Sequence, residues 1–496
     1  MKRYLTAALA AGALALAARA QFGRGSGEWS TTGADAQRSS WVRTDPKISP
    51  ASLRRGGFGL AWKLKLAEAG GEAGAFSGSA ALLNGYIGYR GFRSLGYVAG
   101  AAGRIYAVDT DLGRLEWQKP LGAAARVSGG CGGMTANVAR AINPAFPPMP
   151  QAGRGPGRLN FAKGAVGAPD EGAVTVKEAA ARDARAAAAP PPRPPNPGNL
   201  RRRPNYLHAI SADGLFHSMY VSNGEEPEPA LPFLPAGANA EGLVVLDDVA
   251  YAATAKGCGG APDAVWALDL DSHQVASWRA PASGGIAGAA GPAIAPDGTV
   301  YIADISGALA ALEAKSLHPK GTYDAHAGFT SSPVLFQFQG KTLVAAAASD
   351  RTLHLLDTAA LDKPYAPQRI GFAAESLATW QDFSGTRWIL APSASAVTAW
   401  KLVEKDGAPE LAPGWTSHEV AAPGAPVIVN GVVFVFARGG TGGALYAFDG
   451  ANGQELWNSS ALALARGPAG LSAAGMQVYL ATRDGEFYAF GFPIEH

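Results

Sequence analysis

The chain has little cysteine, little net charge and no apolar run long enough to cross a membrane. Cys131 and Cys258 are its only cysteines in 496 residues, which excludes a disulfide-rich framework and a Cys-x-x-Cys-His haem motif. The 42 basic and 40 acidic residues nearly cancel, so no general field attracts nucleic acid or acidic lipid. The eight histidines lack paired zinc spacing, and no nucleophile elbow or phosphate-binding glycine loop is present.

The N-terminus has the order of a secretory signal peptide. Lys2 and Arg3 precede the apolar residues 5–17, and Ala18-Arg19-Ala20 has the small residues of a cleavage site. The apolar run is too short to span a bilayer. We therefore predict a signal peptide over residues 1–20 and a mature chain that begins near Gln21. We expect it in the periplasm or outside the cell, without a membrane-spanning segment or lipid anchor.

Three copies of one phrase dominate the rest of the sequence. They read IYAVDTDLGRLEW at residues 105–117, VWALDLDSHQVASW at 265–278 and LYAFDGANGQELW at 445–457. Each has the pattern of a strand ending in Ala-x-Asp, a turn, and a second strand ending in Trp. So short a unit cannot bury its own apolar face and must stack on copies of itself. A repeat of about 44 residues with several strands per copy predicts a β-propeller.

Weaker copies raise the predicted number of blades to about eight. They cover residues 206–224, 291–315, 331–360, 376–402 and 474–492. The last copy lacks its Trp strand, and LAWKLKL at residues 60–66 supplies one. Pairing the two would leave no exposed edge, so Trp62 is predicted in the same blade as Phe490. The result is a single all-β, eight-bladed propeller over residues 60–496, closed by an N-terminal strand after an extension at 21–59.

The repeated Ala, Asp and Trp positions are predicted to be framework residues. The alanine suits the close approach of neighbouring blades. The aspartate side chain can cap the turn that follows it. The tryptophan supplies apolar area between blades.

Residues 143–204 interrupt the repeats. They are rich in Pro, Ala, Gly and Arg and include PPPRPPNPGNLRRRP, a composition that cannot build a core. Their position predicts a long loop between the first two strands of the second blade. The loop is either a disordered insertion or a docking arm in which Arg201, Arg202 and Arg203 meet an anionic partner.

The repeat Ala-x-Asp-x-x-x-Gly-x-x-x-Trp resembles that of the quinoprotein alcohol dehydrogenase-like propellers. The N-terminal segment is also similar to the one before the family's first blade: Glu28-Trp29, Asp35-Ala36-Gln37-Arg38, Ile48-Ser49-Pro50-Ala51-Ser52-Leu53 and Leu60-Ala61-Trp62. This resemblance implies an eight-bladed propeller with a site over the ring axis. In the family's enzymes it also implies pyrroloquinoline quinone with Ca²⁺, held by hard oxygen ligands such as Glu and Asn. Non-catalytic members include an outer-membrane assembly propeller, so fold alone does not assign activity.

The chain departs from the enzymes' pattern at several points. It has no adjacent cysteine pair, and the first blade begins FSGSAALLNGYIGY at Phe76 without a nearby metal-side carboxylate. Glu72 lies upstream and would substitute only if its loop folds inward. No catalytic residue and no metal ligand is therefore transferred to this chain.

The two cysteines occur in near-identical settings, Gly130-Cys131-Gly132-Gly133 and Gly257-Cys258-Gly259-Gly260. Both loops are predicted on the face that bears the cofactor in the quinoproteins. The first interpretation is a disulfide between Cys131 and Cys258, favoured by export. The alternatives are a redox or cofactor-covering pair, or two free thiols.

Six further polar residues are predicted on the same face. Cofactor-binding candidates are Asp304, Asp350, Arg351 and His326, together with both cysteines; His418 and Asp484 share the face. The dipeptides Asp350-Arg351 and Asp484-Gly485 also suit hairpin turns.

These features favour an exported binding or interaction scaffold. We expect a monomer that presents its axial face to a protein, a glycan or a small molecule, and no nucleic acid. The alternatives are a dehydrogenase that uses pyrroloquinoline quinone with Ca²⁺ on alcohols or sugars, and a partner in outer-membrane assembly.

Overall fold

The computed structural model describes residues 29–66, 76, 78–88, 91–100, 103–122, 139–140, 206–281, 285–438, 442–460, 462, 464 and 468–493. The predicted signal peptide, Glu72, Cys131 and residues 143–204 lie outside this part of the chain.

The described strands form eight sheets of an eight-bladed β-propeller, as predicted. The strands that follow β2 (Gly59–Lys65) pair antiparallel with their neighbours in chain order within each blade, starting from an inner first strand. The first four blades are: blade 1, β3 Ala81–Gly88, β4 Gly91–Gly100, β5 Arg104–Asp109 and β6 Arg114–Pro120; blade 2, β7 Ala139–Arg140, β8 Tyr206–Ile210, β9 Leu215–Tyr220 and β10 Leu231–Pro232; blade 3, β11 Asn239–Leu246, β12 Val249–Ala255, β13 Ala264–Asp269 and β14 Val275–Arg279; blade 4, β15 Ala293–Ile294, β16 Val300–Ala303, β17 Ala308–Leu312 and β18 Pro319–Asp324.

The other four blades follow the same plan. Two strands from the N-terminal segment, β1 Trp41–Val42 and β2 Gly59–Lys65, join blades 7 and 8. The strands of these four blades are: blade 5, β19 Val334–Phe338, β20 Lys341–Ala347, β21 Thr352–Asp357 and β22 Gln368–Arg369; blade 6, β23 Ala378–Gln381, β24 Arg387–Pro392, β25 Val397–Lys405 and β26 Ala408–Thr416; blade 7, β27 Val427–Val429, β28 Val432–Arg438, β29 Gly443–Asp449 and β30 Glu455–Asn458, with β1; blade 8, β31 Pro468–Ala474, β32 Gln477–Thr482 and β33 Glu486–Gly491, with β2.

Burial differs between the middle and the outer strands. All residues of β12 and β32 are buried, because these strands are covered on both faces by neighbouring blades. The outer strand β14 instead alternates exposed and half-buried residues. The apolar core therefore lies between the blades, as expected for a stacked repeat.

The N-terminal strand β2 closes the ring. It pairs antiparallel with β33, and Leu60 is opposite Phe490 while Trp62 is opposite Ala489. The prediction that Trp62 and Phe490 share a blade is confirmed. The pairing covers what would otherwise be the open edge of β33.

Three tryptophans of outer strands, Trp62, Trp117 and Trp415, connect successive blades through a glycine turn. The indole Nε1 of each donates to a backbone carbonyl of the next blade, and its ring fills the space over a glycine of that blade's third turn. The contacts are Trp62 Nε1 to Thr110 O at 2.9 Å over Gly113, Trp117 Nε1 to Val221 O at 3.0 Å over Gly224, and Trp415 Nε1 to Gly450 O at 2.8 Å over Gly453. These glycines have positive φ, and a Cβ on them would overlap the ring.

The repeated aspartates cap the turns that follow them. In three blades the Oδ1 atom accepts from backbone N–H groups two or three residues further on, at Asp109, Asp269 and Asp449. Both the tryptophan and the aspartate positions therefore have the framework roles expected from the sequence.

The insertion falls between the first and second strands of blade 2, as predicted. β7 pairs with β8 through Ala139 opposite His208, so residues 141–205 connect the first and second strands of this blade.

One short helix, α1 Pro50–Arg54, precedes β2. The side chains and backbone N–H groups of Ser49 and Ser52 form a capping box, with proline at the first helical turn. In the described part of the chain, no helix is both long enough and apolar enough to cross a membrane.

Candidate functional site

The N-terminal segment 29–42 runs inside the ring of inner strands and bonds to six blades. Its backbone carbonyls accept from inner-strand N–H groups, and Thr31 donates from its side chain. The partners are Trp29 with Leu82 in blade 1, Thr31 with Leu243 in blade 3, Ala36 with Ile294 in blade 4, Gln37 with Leu335 in blade 5, Ser39 with Thr379 in blade 6, and Ser40 with Ile428 in blade 7. Inner strands otherwise present unpaired backbone groups to the axis, so this segment satisfies them.

Arg38 anchors the segment between blades 3 and 4. Its guanidinium donates to the carbonyls of Gly242 at 2.6 Å, Pro292 at 2.8 Å and Thr32 at 2.7 Å. The side chain is 1% exposed, and burial lowers its pKa to about 10, against a smaller opposite effect of Asp35. Arg38 therefore stays positive at neutral pH.

A glycine makes the Arg38 contact possible. Gly242 lies in a β-bulge of β11 with φ of 63°, and a Cβ there would come within 2.0 Å of the Ala290 carbonyl oxygen. The bulge directs the Gly242 carbonyl at the guanidinium.

Above this segment lies a cavity of about 580 Å³, a size typical of small-ligand sites. Its floor includes Trp29, Thr32 and Arg38, and its walls come from the starts of inner strands and from the turns after second strands. The other polar and charged lining residues are Ser40, Ser79, Asn239, Glu241, Lys256, Ser332, Glu375, Ser376 and Arg483. Charges of both signs therefore face one axial cavity, at the end of the ring where the first strands begin.

Among the lining residues just listed, Glu241 has a raised pKa. Burial raises its pKa and Asp263 adds to the effect, whereas Lys256 and the Asn239 amide, which donates to Oε1 at 3.1 Å, oppose it. Its carboxyl group is therefore easier to protonate than an exposed glutamate, and it can exchange a proton or a charge partner with a bound ligand.

We expect Glu241→Gln to stabilise the protein in a pH-dependent way. A raised folded-state pKa means that ionised Glu241 destabilises the fold above that pKa, while below the ordinary glutamate pKa the cost disappears. The variant should gain about 1 kcal/mol at pH 7 and nothing at about pH 4. Thermal unfolding across this pH range measures the difference.

Glu375→Gln is the matched control, because Glu375 lines the same cavity but is exposed. It should leave the melting temperature unchanged. A gain for Glu241→Gln that is equal at both pH values would contradict the assignment.

The sequence-predicted acidic candidates form turns in the structure. Asp304 is fully buried, and its Oδ1 accepts from the N–H groups of Ser306, Gly307 and Ala308, while Oδ2 has no hydrogen-bond partner among the described residues. Asp350 accepts from the Thr352 N–H at 3.2 Å, and Asp484 accepts from the Thr482 hydroxyl. None of the three aspartates lines the cavity.

The basic candidates also lie away from the cavity. His326 is 87% exposed at its side chain and faces Asp324 at 3.3 Å. His418 contacts Glu455 and the Glu419 carbonyl, and Arg351 is an exposed turn residue with φ of 69°. The cofactor-binding role of these residues remains a prediction.

Cys258 begins a 3₁₀ turn, Cys258–Gly260, between the second and third strands of blade 3, as its loop position predicted. Its side chain is 2% exposed. Cys131 lies outside the described residues, so the disulfide between the two remains a prediction.

Sequence reasoning missed most of the cavity's charged residues. Arg38 was visible within the N-terminal motif Asp35-Ala36-Gln37-Arg38, and Arg483 precedes the predicted turn at Asp484. Glu241 and Lys256 carried no motif. They meet only because Asn239 pairs with Ala255, which places β11 and the end of β12 side by side.

Ca²⁺ takes several oxygen ligands together, including carboxylate and amide oxygens. Among the described residues, no group of three His, Cys, Asp or Glu side chains converges. One carboxylate and one amide, Glu241 and Asn239, do lie together in the cavity lining, where they bond to each other at 3.1 Å.

Comparison with protein families gives one match over part of the chain. The family model described as outer membrane protein assembly factor BamB matches residues 263–491, from the third strand of blade 3 to blade 8. No curated protein matches the chain.

Three solved structures show the same architecture at 12% identity. Quinohemoprotein alcohol dehydrogenase ADHIIG from Pseudomonas putida HK5 has a TM-score of 0.58 and covers 96% of this chain and 83% of its own. Quinohemoprotein alcohol dehydrogenase from Comamonas testosteroni has a TM-score of 0.56, and the match covers 94% of this chain and 82% of that one. BamB from Moraxella catarrhalis has a TM-score of 0.50, and the match covers 88% of this chain and 99% of that one. At this identity the likeness concerns the fold.

Proposed function

We propose that this chain, an eight-bladed β-propeller whose residues 263–491 match the BamB family model, is an exported binding scaffold of the quinoprotein alcohol dehydrogenase-like, PQQ-like repeat superfamily. Its axial cavity takes a polar ligand, or a segment of a partner protein, that carries groups of both charge signs. The signal peptide that the sequence predicts over residues 1–20 supports export.

The observation that carries this proposal is the charge pattern of the cavity. Lys256 and Arg483 provide cations at an exposed rim, whereas Glu241 and Glu375 provide carboxylates in the same lining. A ligand with one charge sign would pair with half of these groups and face repulsion from the rest. A ligand with both signs pairs with all of them.

The test is a thermal-shift titration of the mature protein with the dipeptide glutamyl-arginine, succinate and maltose. The mixed-charge dipeptide should raise the melting temperature most, and maltose least. The double variant Lys256→Ala/Arg483→Ala should lose this shift, whereas the exposed Lys363→Ala should keep it. Equal shifts in both variants would contradict binding in the cavity.

A second arm of the same experiment addresses the alternative of a quinoprotein dehydrogenase. The likeness to quinohemoprotein alcohol dehydrogenases motivates it. Pyrroloquinoline quinone and Ca²⁺ are added to the purified protein, and dye reduction with ethanol or glucose is measured. Quinone co-elution with dye reduction would overturn the scaffold proposal. We expect neither, because the sequence lacks the adjacent cysteine pair and the first-blade carboxylate of the family's enzymes.

A second candidate function is a partner in outer-membrane assembly. The family match to outer membrane protein assembly factor BamB over residues 263–491 favours it. A pull-down with the intact mature chain and with a chain lacking residues 143–204 tests this role. Recovery of an outer-membrane assembly protein by the intact chain would support the candidate, and its loss from the shortened chain would assign recruitment to the insertion.

A further inference from the structure

A cationic cluster lies at the end of the ring axis opposite the cavity. Leu377, just before β23, lines the cavity, whereas Arg387 is opposite Gln381, the last residue of that strand. Four residues along a strand correspond to about 13 Å. β1 runs parallel to β27, which starts at the cavity, so Trp41 and the following Arg43 lie progressively further from it.

Two guanidinium groups share one indole ring in this cluster. The Arg43 guanidinium carbon lies 4.3 Å from the Trp41 ring centroid, and that of Arg387 lies 5.7 Å away. Arg387 also lies 5.6 Å from the Phe336 ring centroid. Aromatic faces attract cations, but they do not supply a counter-charge.

Both cations are removed from water. Arg387 is 6% exposed, and burial followed by repulsion from Arg43 lowers its pKa to about 9. Burial also lowers the pKa of Arg43, although Asp35 opposes this. The Asp35 carboxylate accepts from the Ser39 N–H at 2.9 Å and from the Ser39 hydroxyl at 2.6 Å, so it acts on Arg43 from a distance and not through a direct ion pair.

The cluster has hydrogen-bond donors without acceptors. Among the described residues, Arg387 Nε and Trp41 Nε1 are buried and have no hydrogen-bond partner. The Arg387 guanidinium makes one long contact, 3.5 Å from Nη2 to the Gln381 Oε1 atom. No ion pair within the described chain joins a carboxylate to Arg43 or Arg387.

A buried, unpaired cation is costly, and so is a buried donor without an acceptor. One bound oxyanion would supply both the counter-charge and the missing acceptors, because the guanidinium group matches the oxygen geometry of phosphate and carboxylate groups. We propose that Arg43 and Arg387 bind an oxyanion, a phosphate or carboxylate group, at the end of the axis opposite the cavity. Arg43 is partly exposed and connects the site to solvent.

The experiment uses the mature protein in chloride buffer, with inorganic phosphate or acetate added at constant ionic strength. Titration calorimetry measures binding, and thermal unfolding measures the stabilisation that binding produces. One of the two anions should bind saturably, and which one does so identifies the source chemistry. Arg43→Gln should weaken that binding by about tenfold or more, since it removes one charge-assisted contact.

Arg387→Met gives a second readout. Without added anion this variant should be at least as stable as the wild type, because a methionine replaces a buried unpaired cation. With the anion present the wild type should gain stability and the variant should not. Arg43→Gln alone, measured by calorimetry, decides the question if Arg387→Met does not fold.

Two controls separate this site from other cations. Lys401→Gln removes a cation 5.3 Å from the Trp388 ring and should leave binding intact. Lys256→Ala/Arg483→Ala should also leave it intact, so failure of the cavity proposal would not imply failure here. Binding of neither anion, or equal binding in Arg43→Gln and wild type, would mean that the cluster is a structural cation–π contact.

Discussion

Replacing Trp62 with alanine is expected to lower the free energy of unfolding by about 3 kcal/mol or more. Trp62 is half-buried at the seam between the last and first blades. Its ring centroid lies 5.5 Å from that of Phe487 and 6.0 Å from that of Tyr479, and its Nε1 donates to the Thr110 carbonyl at 2.9 Å. The substitution removes these contacts and leaves the turn at Gly113 uncovered.

The effect should exceed that of an ordinary truncation because the seam holds the ring closed. Denaturant unfolding measures it, with Leu112→Ala as the control, since Leu112 lies in the same turn but is 59% exposed. Trp415→Ala removes an equivalent tryptophan within the ring, whose Nε1 donates to Gly450. A loss for Trp62→Ala no larger than that for Leu112→Ala would show that the seam does not support the fold.

Replacing Arg38 with methionine is also expected to lower the free energy of unfolding strongly. The substitution leaves the carbonyls of Gly242, Pro292 and Thr32 without their donor. Water from the cavity can reach part of this region, so we expect a loss of about 3 kcal/mol rather than the full sum for three buried acceptors. Relief of the desolvated charge offsets some of the cost as well.

Arg38→Lys distinguishes charge from geometry. Lysine keeps the positive charge but lacks the planar fork that reaches three carbonyls, so it should recover less than half of the loss. The exposed Arg55→Met serves as a control for the change of residue type. If Arg38→Lys were as stable as the wild type, the charge alone would hold the N-terminal segment in place.

The sequence predicts the framework of this protein well. Strands, turns and inter-blade contacts recur with the repeat, so each copy supports the interpretation of the others. Trp62 in the last blade, the capping role of Asp109 and the pairing of β7 with β8 on either side of the insertion all agree with the prediction. Each of them depends on contacts within one blade or with the next one.

The candidate site is less predictable, and the aspartates show why. Asp304 and Asp350 lie in turns between the second and third strands of their blades, and their carboxylates bond within those turns. Topology identifies the face on which a loop emerges. It does not determine whether a side chain is directed at the axis or back at its own backbone.

By itself, the sequence determined the β-propeller, its closure and the framework residues, because the residues that make the stacking contacts recur in each blade. Only the tertiary structure decided which groups meet at the two ends of the axis. Arg38, Glu241, Lys256 and Arg483 come from separate parts of the chain and line one cavity because non-repeating residues 29–42 fill the ring below it. Arg43 and Arg387 meet at Trp41 for the same reason. The N-terminal segment passes through the ring once and has no repeat period, so no sequence pattern predicts its contacts.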